Sequence, residues 1–187
     1  MSWKLITPPT GLALDMAEAQ LAARVDVDEQ DKSPLDAEIR AAIETYTVEA
    51  EVETKRAIIE QTWRLTLDRF PTSIELYRPP LLQVVHVKWY DTDGVQKTLD
   101  PQDYDVDGET EPGCIVPAPG RTWPATANRI KAVEVQIKCG YGADHTAVPA
   151  SIRNFIRARI AEQYSTGKHA QNEHVKGLLA REVVYGC

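Results

Sequence analysis

The stretch Val133-Glu134-Val135-Gln136-Ile137-Lys138-Cys139-Gly140-Tyr141-Gly142 decides the fold. Val133, Val135, Ile137 and Cys139 alternate with Glu134, Gln136 and Lys138. That period of two sends one row of side chains into a core and the other into water, as a half-buried strand requires. The turn Gly140-Tyr141-Gly142 ends the strand. The period then changes. From Pro149 to about Thr166 the apolar residues Ile152, Phe155, Ile156, Ile160 and Tyr164 share one helical seam, with Gly167 as a stop. One clean strand followed by one clean helix predicts an α+β chain.

Upstream, the alternation recurs. Trp63-Arg64-Leu65-Thr66-Leu67-Asp68 reads as a strand that Pro71 ends, and Ile74 to Leu76 as a short second one. Val85, Val87 and Trp89 mark a third, and Asp93-Gly94 suits a two-residue hairpin turn into Val95–Leu99. Asp100 to Ala127 is broken by prolines and glycines around strand pieces at Tyr104–Val106 and Cys114–Val116, and reads as a long irregular β loop.

Before the strands lies a helix over 34–54. Ser33 can cap it, Pro34 suits its first position, and Asp36 sits near the positive end of its dipole. Leu35, Ile39, Ala42, Ile43, Tyr46 and Ala50 form its apolar face, opposite Glu38, Glu49 and Glu51. A shorter helix from Asp15 to about Val25 carries Leu14, Ala17, Leu21 and Val25 near helical spacing. Leu5 to Gly11 is a proline-rich extended entry, and the acidic stretch Asp26 to Asp31 a solvated loop. A last helix over Glu173 to Ala180, capped by Asn172, closes the chain. The expected architecture is N-terminal helices, a central antiparallel β block and C-terminal helices, mainly a helical bundle with a small sheet. The expected organisation is a single domain over 1–187, with a looser extension at 1–32, a core at 33–166 and a C-terminal segment at 167–187.

The chain has 187 residues, 43% hydrophobic and 26% charged, enough to bury a core without disulfides or metal. Cys114, Cys139 and Cys187 are far apart with no CxxC, which argues against a disulfide framework or a zinc site and for a reducing compartment. No apolar run reaches the roughly 18 residues of a membrane span, and MSWKLITPPTG has no signal-peptide core. A net charge of −7 argues against a duplex-coating protein, which needs clustered Lys and Arg. The charge is uneven: −7 over residues 1–60, −3 over 61–148 and +3 over 149–187. Unlike ends can attract between copies, or simply face water.

Asp103-x-Asp105-x-Asp107-Gly108 copies the opening of a calcium-binding loop, but Cys114 stands where the bidentate Glu belongs and Pro112 interrupts. Strand alternation accounts for the same pattern, with Tyr104 and Val106 inward. A calcium or metal module, or an acidic hydrolase, built on these aspartates is the rival function. His86, His145, His169 and His174 show no metal-ligand spacing, and GxSxG, HExxH, P-loop and GxGxxG motifs are missing. No catalytic, cofactor or metal residue is therefore assigned. Trp63 and Trp89 lie on apolar strand faces and suit a core better than base stacking; Trp123 and Tyr164 were weighed with them as platforms. Arg153 and Arg157, four apart, share a helical face away from the apolar seam and suit phosphate or an acidic partner surface.

Several segments together resemble one family. They begin with Glu51-Val52-Glu53-Thr54-Lys55-Arg56-Ala57 and Gln61-Thr62-Trp63-Arg64-Leu65-Thr66-Leu67-Asp68-Arg69-Phe70-Pro71. Ile74-Glu75-Leu76, Arg78-Pro79-Pro80-Leu81 and Val87-Lys88-Trp89-Tyr90-Asp91-Thr92-Asp93-Gly94 follow. Tyr104-Asp105-Val106-Asp107, Trp123-Pro124, Ala132-Val133-Glu134-Val135 and Cys139-Gly140-Tyr141-Gly142 come next, then Val148-Pro149-Ala150-Ser151-Ile152 and Leu178-Leu179. Their order over about 34–180 resembles the head–tail connector proteins (adaptor, or head-completion) of long-tailed double-stranded DNA bacteriophages and related gene-transfer particles. Ala180-Arg181-Glu182 departs from the proline-containing end expected after the paired leucines.

The resemblance implies a structural, non-enzymatic virion protein, assembled in the bacterial cytoplasm and without a cofactor or a membrane partner. Its partners would be copies of itself in a ring, commonly of twelve, the portal protein, the next neck, stopper or tail protein, and passing double-stranded DNA bound without sequence specificity. A stopper or tail-completion protein is the neighbouring alternative. The C-terminal segment of such proteins docks onto the portal, which points to Val175, Lys176, Leu178, Leu179 and Arg181. Arg153 and Arg157 would then serve a subunit contact or the channel wall.

Overall fold

The structure, a computed structural model, describes residues 1–24, 32–166 and 173–184, with the side chains of 32–34, 166, 173 and 174 left aside. In chain order the elements are β1 (Ser2–Thr7), α1 (Met16–Ala23), α2 (Lys32–Thr54), β2 (Gln61–Leu67), β3 (Ile74–Leu76), β4 (Leu81–Tyr90) and β5 (Gln96–Thr98). Then come β6 (Tyr104–Asp107), β7 (Gly113–Pro117), β8 (Val133–Cys139), α3 (Ala150–Thr166) and α4 (Glu173–Gly177). Short 3-10 turns at Pro101–Asp103 and His145–Ala147 precede β6 and α3. The elements gather into two compact units. Among the described residues, Met1–Pro8 and Glu60–Gly140 make a β unit, and Pro9–Ile59 with the chain from Tyr141 to Val184 make a helical one.

In the β unit, five antiparallel strands lie in the order β1-β2-β8-β4-β5. Strand β8, Val133–Cys139, is their centre. Val135 faces Leu65 on one side and Val87 on the other, and Ile137 faces Trp63 and Val84. Val133, Val135, Ile137 and Cys139 are fully buried and the residues between them are not, as the period of two demands. Gly140 takes φ +119 just beyond the last strand residue, a conformation that L side chains rarely adopt. A second antiparallel sheet, β3-β7-β6, buries Ile74, Leu76, Ile115 and Tyr104.

The helical unit is built on α3, which packs against α1, α2 and α4. Ile39, Ile43, Tyr46 and Ala50 from α2 meet Ile152, Phe155, Ile156 and Ile160 from α3, with Ala19 and Ala23 from α1 and Leu14 before it. Each large side chain buried this way is worth about 1.5–3 kcal/mol. Asp15 starts α1 by accepting the N–H groups of Ala17 at 3.0 Å and Glu18 at 3.3 Å. Arg24 and Lys55, at φ 53 and 59, follow α1 and α2 in the left-handed conformation usually left to glycine. Gly11 admits nothing larger, because a Cβ there would stand 2.0 Å from the Ala143 carbonyl oxygen.

The tail is tied to this unit by Glu182, in the segment where the family resemblance departs. Its carboxylate accepts from the Ser151 hydroxyl at 2.8 Å and the Tyr141 hydroxyl at 3.3 Å, and its carbonyl accepts from Arg56 Nε at 2.6 Å. Two residues on, the Val184 N–H donates to the Thr54 carbonyl at 3.0 Å.

Several expectations need correction. The chain is not mainly a helical bundle with a small sheet: among the described residues, eight strands in two sheets take a share comparable to the helices. The strand pieces expected at Tyr104–Val106 and Cys114–Val116 are β6 and β7, but the segment around them is no mere loop, since they pair with each other and with β3 as a sheet. Proline and glycine mark its turns but do not reveal long-range pairing. The N-terminal entry is the edge strand β1, paired with β2. Val85 is exposed because the register slips between Val84 and His86, and a bulge moves a residue off the expected row. Val106 is also exposed, on a strand at the edge of its sheet.

The hairpin after β4 is longer than two residues, since Tyr90 pairs with Gln96; Asp91 accepts the N–H groups of Asp93 and Val95 inside it. On α1 the inward face is Ala19 and Ala23, while Ala17 and Leu21 point outward. Helix α2 begins at Lys32, ahead of the expected cap. The expectations for Val25, Asp26–Asp31, Gly167, His169, Asn172 and Cys187, and for the side chains of Ser33, Pro34 and His174, lie outside the described residues.

Candidate functional site

Two grooves, one on each unit, are chemically unlike. On the β unit the wet rows of the five-stranded sheet line up across strands: Lys4 beside Arg64, Arg64 beside Gln136, Ser2 beside Thr66, Thr66 beside Glu134 and Glu134 beside Lys88. They bound a groove of about 370 Å³ that also takes in Tyr90, Arg129 and Lys131. Glu134 is the one carboxylate in it. Its Oε1 lies 2.9 Å from His86 Nε2 and its Oε2 accepts from Arg64 at 3.2 Å. Burial pushes this carboxyl up, but the hydrogen bonds with His86 and Arg64 outweigh that and hold it below the usual carboxylate value. Arg129 stacks over the Tyr90 ring at 4.0 Å. Lys4, Lys88 and Lys131 have no ion-pair partner among the described residues, so on a chain of net −7 this face is locally basic.

On the helical unit, α1, α3 and α4 enclose a groove of about 530 Å³ lined mostly by Leu21, Ala22, Ala158, Ala161, Val175 and Leu178. Arg24, Arg157 and Glu18 stand among them. The structure thus brings Arg157, Val175 and Leu178 together. Arg157 donates only to Asn154, at 2.9 Å. Arg153 stands apart, its Nε donating to the Val148 carbonyl at 3.2 Å and its guanidinium 3.8 Å from Glu18. Val175 and Leu179 are buried in the chain's own helical core, Lys176 approaches Glu53 at 3.9 Å, and Arg181 is exposed.

Asp103, Asp105 and Asp107 do not converge. Asp103 faces Arg121 at 3.4 Å, Asp105 is exposed, and Asp107 caps a turn by accepting from the Thr110 hydroxyl and from the N–H groups of Thr110 and Glu109. Those bonds, the Thr110 hydroxyl first, hold its carboxyl below the usual value. No three His, Cys, Asp or Glu among the described residues are placed to hold a metal ion.

The aromatic residues are committed locally. Arg78 lies 3.6 Å over the Trp63 ring, and Trp123 stacks on Phe70 with centroids 4.7 Å apart while its Nε1 donates to the Thr72 carbonyl. One cation near the seam of α3 escaped the sequence reading. Arg159 is buried, held by Glu49 at 3.2 Å and Glu162 at 2.9 Å, with the Tyr46 ring 5.1 Å from its guanidinium carbon. Two acids on the expected outer face of α2 are thereby used inside the chain, Glu49 here and Glu51 as acceptor of the Ile58 N–H at 2.9 Å.

The basic sheet groove was not anticipated, because its cations come from three separate strands and the loop before β8, and only the tertiary fold gathers them. Their signal was the polar row itself: Arg64, Lys88 and Glu134 are each the wet partner of an apolar neighbour.

No family model and no curated protein matches this sequence. Solved structures do. A chain of the structure described as the neck of an empty GTA particle computed with C6 symmetry superimposes with a TM-score of 0.83 at 21% identity, covering 100% of this chain and 97% of that one. A chain of the virion of a native gene transfer agent (GTA) particle gives 0.80 at 21% identity, with the same coverage. A chain of the neck of a native GTA particle computed with C12 symmetry gives 0.70 at 22%, again over 100% and 97%. From end to end, this chain has the fold of chains found in gene transfer agent necks and virions.

Proposed function

We propose that the protein is a structural neck component of a phage-like particle, an adaptor that joins head to tail. Twelve or so copies would form a ring under the portal, extend the DNA channel and present a surface to the next neck or tail protein. The observation that carries this is the full-length likeness to a neck chain, at a TM-score of 0.83 with 97% of that chain covered. At such identity the likeness lies in the fold, and the role follows from it together with the ordered motifs of the sequence.

The surfaces support the reading. Both open grooves are shallow and suit protein contact, and no described helix is long and apolar enough to cross a membrane. The terminal segment is the proposed portal contact. With Val175 and Leu179 turned inward as anchors, Lys176 and Arg181 are left to meet the portal. The proposed site of action is the virion neck, after assembly in the host cytoplasm. The reading assigns no catalytic residue.

The test is a sizing experiment with the purified cognate portal. A stable complex is expected with the full chain, and its loss on truncation after Gly167. Particles made without the protein should accumulate as unjoined heads and tails. A full chain that ignores the portal, in particles whose heads and tails still join, refutes the adaptor role.

A further inference from the structure

Helix α2 carries a second face that nothing in the described chain covers. Ala37, Ala41, Glu44, Val48 and Val52 recur at intervals of three, four and seven, which puts them on one stripe about 22 Å long at 1.5 Å per residue. All five are exposed, Val48 by 58% and Val52 by 72%. The face opposite is the one packed into the helical core, so the stripe points away from the bundle. Glu44 lies within it, with exposed Arg40 along one side and exposed Glu38 along the other, and neither glutamate has an ion-pair partner among the described residues.

The groove of α1, α3 and α4 has the opposite character. Its floor is apolar, Leu21 is 79% exposed at its edge, and Arg24 and Arg157 outweigh the one acid there, Glu18. A helix with small and apolar residues and Glu44 along its centre, Glu38 at one side and Arg40 at the other, fits such a groove as amphipathic helices fit theirs, its glutamates matched to the groove's arginines and Arg40 to Glu18. The stripe and the groove lie on different elements of one helical unit, and the stripe faces outward, so one chain cannot close them on itself.

We infer that the occupant of this groove is the α2 stripe of a second copy of the chain, with Val48 and Val52 over Leu21, Ala158 and Leu178, and Glu44 and Glu38 opposite Arg157 and Arg24. The contact is head-to-tail. Each copy gives one surface and receives the other, so every pair leaves a stripe and a groove free, and addition continues until a ring closes. The inference rests on the ring reading above for the closure alone; the contact itself is tested without the portal.

Two double variants separate the faces, each confined to side chains on the open surface so that the fold is kept. Val48→Asp with Val52→Asp blocks the stripe, and Leu21→Asp with Arg157→Glu blocks the groove. Circular dichroism checks that both retain helix. By sedimentation velocity the wild-type chain should pass beyond dimer as concentration rises, and each variant alone should associate roughly tenfold or more weakly. An equal mixture of the two should give dimers and nothing larger, because each brings one intact half of a single contact.

Either variant assembling like the wild type overturns the inference, as does a mixture that stays monomeric while the wild type assembles. So does a wild-type chain that is monomeric up to about 1 mM. Adding the portal keeps the two readings apart. A monomeric wild type that still binds the portal sinks the stripe-and-groove contact alone. A groove variant that loses the portal while wild-type assembly is untouched identifies the portal as occupant, and overturns the inference too.

Discussion

The β unit leaves a charged surface open, and the helical unit leaves an apolar groove and a stripe of small and apolar residues. The contrast follows from how each element presents residues. A strand shows every second side chain, so the open sheet face draws one or two residues from each of five strands, and charges distant in sequence become neighbours. A helix shows a stripe of its own residues, so the open face of α2 is written in one continuous segment. Charge on the sheet therefore says little about folding energy and much about what the surface meets. The helical surfaces carry area that is better buried.

The largest expected effects test whether the two cores are alike beneath these unlike faces. Phe155→Ala in α3 should cost about 4 kcal/mol and Ile137→Ala in β8 about 3 kcal/mol, read by urea denaturation. An Ile137→Ala cost under about 1 kcal/mol would mean that the sheet core is loosely packed and the comparison unequal.

Next comes the buried cation of the helical unit. Arg159→Ala leaves Glu49 and Glu162 facing each other without it, and should cost about 2 kcal/mol, less than a fully buried pair because both acids reach solvent. Glu182→Ala removes two acceptor bonds that hold the tail and should cost about 1.5 kcal/mol. Limited proteolysis should then cut the chain after α4 faster than in the wild type, with the sheet unaffected.

Glu134→Gln sharpens the contrast from the β side. The folded carboxyl sits below its ordinary value, so its stabilisation is complete above the unfolded carboxylate range and is lost as pH falls through the lowered folded value. The variant should be about 1 kcal/mol less stable near neutrality and should show a flatter acid dependence. Equal slopes for both proteins would remove Glu134 from the account. Smallest of all, Lys88→Ala should change stability by less than about 0.5 kcal/mol, because the cation it removes is not paired.

Legibility in the sequence followed the same division. The seam of α3 and the inner face of α2 could be read off directly, because the spacing that marks an apolar face lies wholly within one helix, whatever packs against it. Even there Arg159 was passed over, since a cation beside an apolar seam looks solvated until Glu49 is brought up from another helix. The alternation of β8 was clear, yet its neighbours β2 and β4 were not nameable. Val85 shows why: one bulged residue reverses which row is wet. Leu21 misled because its spacing suited an inward seam, while the small residues Ala19 and Ala23 make the closer contact.

The sequence by itself determined the kinds of element, the two cores' principal residues and an acidic chain without a catalytic motif, because each of these depends on short-range period and composition. Only the tertiary structure decided that the strand pieces at 104–106 and 114–116 pair with β3 into a second sheet, that Glu182 ties down the tail, and that three strands and the loop before β8 pool their cations on one face. Those features depend on register and on contacts between distant segments, and a period repeating every two or four residues carries no information about its partner.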